Sequence, residues 1–225
     1  MEIKDMAPKA KELRGHFSIE LIDKNTNEII DSYEDNNLIV NKARFSMAKL
    51  IANYPDAVGI TGFKMGTQGH DTTTDNILKP KEAGQQGYDE SREKLFSQES
   101  NNNAFFYTVT WNPKNLTNAD GQAVTWTNNN TEISFVAKGQ KKNQQGTETD
   151  AENAKIPIKI ELGTNSVKYT FEIPENYMNG TDGNSAVAFT EAGLFCKEDM
   201  FSIKCFPAKV KDSQTLFRIH WRIIF

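Results

Sequence analysis

The chain has 225 residues, 26 Lys+Arg against 30 Asp+Glu, a formal net charge of −4 and 37% hydrophobic residues. That balance argues against a nucleic-acid partner held by a basic surface, and no apolar run approaches the ~20 residues of a membrane span. Met1–Arg14 is charged rather than patterned like a secretory leader, so a soluble protein made in the cytoplasm is expected.

In chain order, residues 1–14 read as a lysine-bearing flexible arm and 15–225 as a single domain. Phe17, Ile19 and Leu21 alternate with polar residues, the period of a strand with one buried face, and Ile29–Tyr33 reads as its return. Val40, Ala43, Met47, Leu50, Ile51 and Tyr54 recur at spacings of three and four. They predict one core-packing helix over about 41–54, capped by Asn37 or Asn41 and stopped by Pro55.

Ile60–Met65 is a short strand, followed by a long polar insertion at about 66–98 of the kind that is functional or disordered. Phe105–Trp111 and Ile133–Ala137 alternate again before a second polar insertion at about 138–155. Ile156, Ile158, Ile160 and Leu162 then share one face, as do Val167, Tyr169, Phe171 and Ile173, with a turn at 163–166 joining a hairpin. Ala188–Phe195 returns through Met200–Phe206. In the closing strand Phe217, Ile219, Trp221, Ile223 and Phe225 face one way and Arg218, His220 and Arg222 the other. Many short strands around one helix, with turns at regular spacing, predict a mainly β, antiparallel β-sandwich with long polar loops.

Chemistry-bearing patterns are sparse. The histidines are His16, His70 and His220, and none accompanies a recognised nucleophile setting. His220, between two arginines on the polar strand face, suits an interaction surface. Asp71 and Asp75 offer hard oxygen ligands, but without the acidic density of a calcium loop; no metal or cofactor is expected. Gly62–Gly69 has the glycines of a phosphate-cradling loop without its Lys-Ser/Thr end, so a turn is expected. Lys138–Lys142 is a small basic cluster without interleaved aromatics, expected as a mobile loop tip. Cys196 and Cys205 are expected as free thiols.

Several segments resemble a family of small virion proteins of tailed bacteriophages, tail-fibre, collar or baseplate-associated. Gly15–Asp23 is similar to the start of that family, and Asn37–Asn41 to its entry into a helix. Gly66–Gly69 is similar to its Gly-Thr-Gly-like turn, and Thr190–Phe195 to its Glu-Ala-Gly-Leu-Phe strand. Phe201–Pro207 with Lys211 resembles its Phe-Pro–Lys segment, and Phe217–Phe225 its closing Trp strand. The resemblance covers about half of the chain, not 112–155. It implies a non-enzymatic structural protein of the virion that meets other tail, collar or baseplate proteins in multiple symmetric copies, with no nucleic acid or membrane partner. Glu191, Gly193 and Trp221 are its motif residues: Glu191 fixes a buried hydrogen bond at a close backbone approach that Gly193 admits, or else stands exposed on a bulge. Arg218, His220 and Arg222 are the candidate interaction residues. The alternative is a receptor- or carbohydrate-binding β module that stacks sugar rings on exposed Trp111, Trp126 and Tyr88.

Overall fold

A computed structural model describes residues 13–72, 77–100, 104–143, 154–180 and 185–225. In chain order the elements are β1 (Arg14–Asp23), β2 (Ile29–Ile39), α1 (Asn41–Ile51), β3 (Gly62–Gly66), β4 (His70–Thr72), β5 (Leu78–Pro80), α2 (Phe96–Glu99) and β6 (Phe105–Thr110). They continue with β7 (Leu116–Thr117), β8 (Ala123–Val124), β9 (Glu132–Asn143), β10 (Ala154–Gly163), β11 (Ser166–Ile173), β12 (Val187–Cys196), β13 (Asp199–Lys211) and β14 (Thr215–Ile224).

Ten of the strands form a closed antiparallel barrel in the order β10-β11-β14-β1-β2-β13-β12-β3-β6-β9, and pairing of β9 with β10 completes the ring. The expected β-sandwich is therefore wrong. Strands of a sandwich and of a barrel alternate identically, because each buries one face. What separates them is whether the outer strands find each other, and the ladder from Ala154↔Gly139 to Glu161↔Glu132 does that here. Lys138–Lys142 lies within β9, paired to β6 from Lys142↔Phe106 to Lys138↔Thr110, so it is strand and not a loop tip. Residues 144–153 of that insertion, the arm through residue 12, and Asp75 lie outside the described residues.

A ring of ten strands is wider than the eight that ordinary side chains fill, so large residues must occupy the middle. Trp221, Phe17, Phe63 and Phe171 do so, all fully buried. Phe17 meets Trp221 edge-on at 5.0 Å and stacks on Phe206 at 5.2 Å, while Phe63 stacks on Phe171 at 4.4 Å. Among the described residues the indole Nε1 of Trp221 has no acceptor, a cost that filling the centre outweighs. Leu162 and Phe225, expected inside, sit at strand ends and are exposed.

Past β11 the chain folds inward. Tyr177 and Met178 are fully buried, the Tyr177 hydroxyl donates to the Thr108 carbonyl at 3.0 Å, and Tyr107 donates to the Asn179 carbonyl. Lys211 is buried beside this plug. Its ammonium donates to the Asp212 carbonyl (2.8 Å), Asn179 Oδ1 (3.1 Å) and the Glu175 carbonyl (3.3 Å). Helix α1 follows directly from β2 and contributes Ala43 to the core with Ile39, Ile60 and Phe201. It has no side-chain cap, contrary to the Asn37 or Asn41 expected. It ends with Asn53 at φ 51°, a left-handed residue that lets the Tyr54 amide reach the Lys49 carbonyl.

The ring is not uniformly zipped. Between β2 and β13 the ladder is reduced to Ser202↔Ile39 and Ile203↔Leu38. Beyond it side chains take over: Lys204 pairs with Asp35 at 2.5 Å, Lys209 with Asp31 at 2.6 Å, and Lys209 also donates to the Ser32 carbonyl at 3.2 Å. A lysine ammonium stands there where a ladder amide would.

Candidate interaction surface

On the outside of β3, β12 and β13 lies a second core of Val40, Tyr88, Leu95, Phe195, Met200, Ile203 and Cys205. It exists because the described part of the polar insertion at 66–98 is folded onto the barrel. The Tyr88 hydroxyl accepts from the Cys205 amide at 3.0 Å. Arg92 holds the segment's own path: it donates to the Gly87 carbonyl (2.9 Å) and the Lys94 carbonyl (2.8 Å), pairs with Glu99 (2.7 Å), and stacks on Phe96 at 3.6 Å.

Glu191 fastens this layer. A register shift between Phe189 and Glu191 turns the carboxylate outward, yet it is fully buried. The Phe96 amide donates to one oxygen at 2.7 Å. The Ser97 amide (2.7 Å), the Ser97 hydroxyl (2.6 Å) and the Gln68 amide (3.4 Å) donate to the other. Ser97 Oγ in turn accepts from the Thr67 amide at 2.8 Å. Burial pushes the carboxyl above the ordinary glutamate range, and the donors from Ser97, Phe96 and Gln68 pull it back. The Gly62–Gly69 stretch is strand and turn as expected, and of its amides Gln68 reaches the carboxylate while Thr67 and Gly69 donate to the hydroxyls of Ser97 and Thr190. Gly66 and Gly193 make the approach possible. A Cβ on Gly66 would lie 2.3 Å from Ser97 Oγ, and one on Gly193 would lie 3.1 Å from the Ser202 carbonyl and 3.3 Å from Leu95.

Comparisons with family models, curated proteins and solved structures give no match. The surface must therefore be judged from its own chemistry.

An exposed apolar cluster lies on α1 and the turn that follows it. Phe45 (60%), Ile51 (81%) and Tyr54 (54%) are exposed, and Lys49 lies 4.3 Å from the Phe45 ring and 5.8 Å from the Tyr54 ring. Ala43 and Ser46 are the buried residues of the helix. The stripe expected to pack into the core therefore divides: Val40 and Ala43 go in, while Leu50, Ile51 and Tyr54 go out.

Trp221 sits at the barrel centre, far from any surface role. Arg218, His220 and Arg222 are on the outer face of β14 as their alternation requires. Arg218 reaches Glu20 at 3.4 Å and Glu172 at 3.5 Å, and His220 Nδ1 lies 3.0 Å from Thr170 Oγ1. Burial first, then Lys168, lowers the His220 pKa; Arg218 contributes less. His70 Nδ1 lies 3.2 Å from Thr190 Oγ1, and Asp71 pairs with Lys81. Among the described residues no group of three or more His, Cys, Asp or Glu is placed to hold a metal ion. Cys196 and Cys205 are free, the first in the barrel core and the second in the outer one. Burial pushes the Cys196 thiol up to about 12. Of the aromatics proposed to stack sugars, Tyr88 is buried and Trp111 packs against Phe135, Tyr169 and Phe171; Trp126 is 40% exposed.

Proposed function

We propose that the chain is a structural protein of a tailed-bacteriophage particle, in its tail, collar or baseplate region, acting through protein–protein contacts between multiple copies and neighbouring components. The observation that carries this reading is the exposed apolar cluster of α1 and the turn after it, where Phe45 and Tyr54 flank Lys49 and Leu50 and Ile51 are exposed as well. Large apolar groups exposed together at one end of a helix favour a partner surface. The segments that resemble virion proteins also lie together: Gly15–Asp23 and Phe217–Phe225 fall on the paired strands β1 and β14, and Asn37–Asn41 leads into α1. A packed barrel interior suits a rigid spacer whose contacts are made by its outside. The sugar-binding alternative loses support, since Tyr88 and Trp111 are committed to packing.

Immunogold electron microscopy with antibody to the purified chain tests the assignment. Regularly spaced label at one position on released particles is expected. Particles without label, while the chain is abundant in the particle-free fraction, would overturn it. A Phe45→Ser, Ile51→Ser double substitution should fold with an unchanged thermal midpoint yet be missing from particles, because neither side chain is buried in the free protein.

A further inference from the structure

Beside the Glu191 fastening, on the outer surface of the barrel, lies a cleft of about 340 Å³. Its floor is Lys64 on β3 with the outward residues of β6. Lys142 of β9 and Lys94 close two sides, and the turn Lys197–Glu198 between β12 and β13 closes another. Four lysines and one glutamate thus line the cleft. The cleft on the other side of the same turn has the opposite balance, Lys49 and Lys197 against Asp56, Glu198 and Asp199, so the excess of positive charge is specific to one side.

Lys64 makes this more than a solvated basic face. Its side chain is only 7% exposed, and its ammonium rests 4.0 Å from the Phe195 ring centroid. Among the described residues its one hydrogen-bond acceptor is Glu198 Oε2 at 3.1 Å, and the Glu198 side chain is 90% exposed. An ammonium has three protons to place, and a buried one is costly unless they find acceptors. A single carboxylate at a solvent-facing turn is a weak and displaceable counterion. Elsewhere the fold does better: Lys211, also buried, has three acceptors.

We propose that this cleft binds a multivalent oxyanion, with Lys64 at its base and Lys94, Lys142 and Lys197 at its mouth. The incoming anion displaces Glu198 from Lys64 and supplies the acceptors that the buried ammonium lacks. Phosphate groups of a small molecule and clustered carboxylates of an acidic peptide share this chemistry. The Lys197 backbone is already set for the role, since its left-handed φ of 56° is stabilised by its amide donating to Thr61 Oγ1 at 2.9 Å.

Isothermal titration calorimetry of the full chain with inorganic pyrophosphate, and separately with a tri-glutamate peptide, tests the site. Saturable one-to-one binding of at least one probe is expected, and the tighter of the two identifies the source. Affinity should fall by about tenfold or more in Lys64→Met and by a few-fold in Lys142→Gln and in Lys197→Gln, as loss of charge-assisted hydrogen bonds demands. Glu198→Gln should bind a few-fold more tightly because a competing carboxylate is gone. Lys159→Gln on β10 should bind like the unsubstituted chain. The proposal fails if neither probe binds saturably, if Lys142→Gln and Lys197→Gln bind normally, or if Lys159→Gln weakens binding as much as they do.

Discussion

Glu191 and Lys64 stand in neighbouring outward columns of the same strand pair, Glu191 opposite Gly66 and Lys64 opposite Gly193. Both are buried, yet the fold treats them in opposite ways. Glu191 receives donors from three residues on two separate stretches of chain, so its charge is spent on holding the outer layer to the barrel. Lys64 receives one acceptor from an exposed turn. A buried charge whose hydrogen bonds are complete belongs to the architecture; one left incomplete beside a cleft is free to meet something else.

The comparison predicts opposite mutational outcomes. Glu191→Leu should be the most damaging of the changes considered, on the order of 3 kcal/mol, because it strands the amides of Phe96 and Ser97 and the Ser97 hydroxyl inside the protein. Chemical denaturation measures the loss, and hydrogen exchange should show the 82–99 segment released first. A variant as stable as the parent would show that the packing of Leu95 and Phe96, not the carboxylate, holds the layer.

Lys211→Met falls between, at about 1–3 kcal/mol, since it leaves carbonyl groups unsatisfied while removing a buried charge. Lys211 also gives a pH signature. Burial lowers its pKa from the ordinary 10.5 to about 8, so between those values the unfolded chain binds the extra proton and the folded one does not. Stability contributed by this group therefore rises as pH increases from about 8 to about 10.5, and this contribution should be missing from the slope of Lys211→Met. A parent whose stability falls through that window with the same slope as Lys211→Met would break the assignment.

Lys64→Met should be the mildest, within about 1 kcal/mol of the parent and of either sign, because an incompletely paired ammonium is exchanged for an apolar group of similar length. A loss as large as that of Glu191→Leu would mean that the Lys64–Glu198 pair is a structural fastening and would erase the distinction.

How much of this was legible in the sequence depends on the range of the interaction. Strand faces were readable, since Phe17, Ile19, Trp221 and Ile219 report burial through their period of two and do lie inside. Ring closure was not: whether β9 meets β10 depends on pairing that leaves no mark on either strand's own alternation. The helix begins where it was read but ends at Ile51, three residues short of the expected 54, and its buried side was misjudged. An apolar stripe normally means core, and here Ile51 and Tyr54 point to solvent. The outer layer was read as a polar loop because charge dominates 82–99. Its anchors Tyr88, Leu95 and Phe96 were visible only as scattered apolar residues, and the role of Arg92 required knowing the path of the chain. Glu191 before Ala-Gly was picked out from a resemblance; its four hydrogen bonds come from residues about 95 and 123 positions away, which no local pattern encodes.

The pairing of β1 with β14 has a consequence for how the protein is made. Asp23 meets Thr215 at one end of that ladder, so at least ~190 residues must leave the ribosome before β1 acquires its second neighbour. At an elongation rate of about 5–20 residues per second, one edge of β1 waits on the order of 10–40 s. During that wait Phe17, Ile19 and Leu21 lie on a strand with an unpaired margin, where another nascent chain can add itself. His16, Ser18 and Glu20 intervene at every second position, and the charge on Glu20 is the brake that the sequence places there. Yield of soluble protein should therefore respond to translation speed and to chaperones that bind extended apolar segments, more than to the stability of the finished barrel.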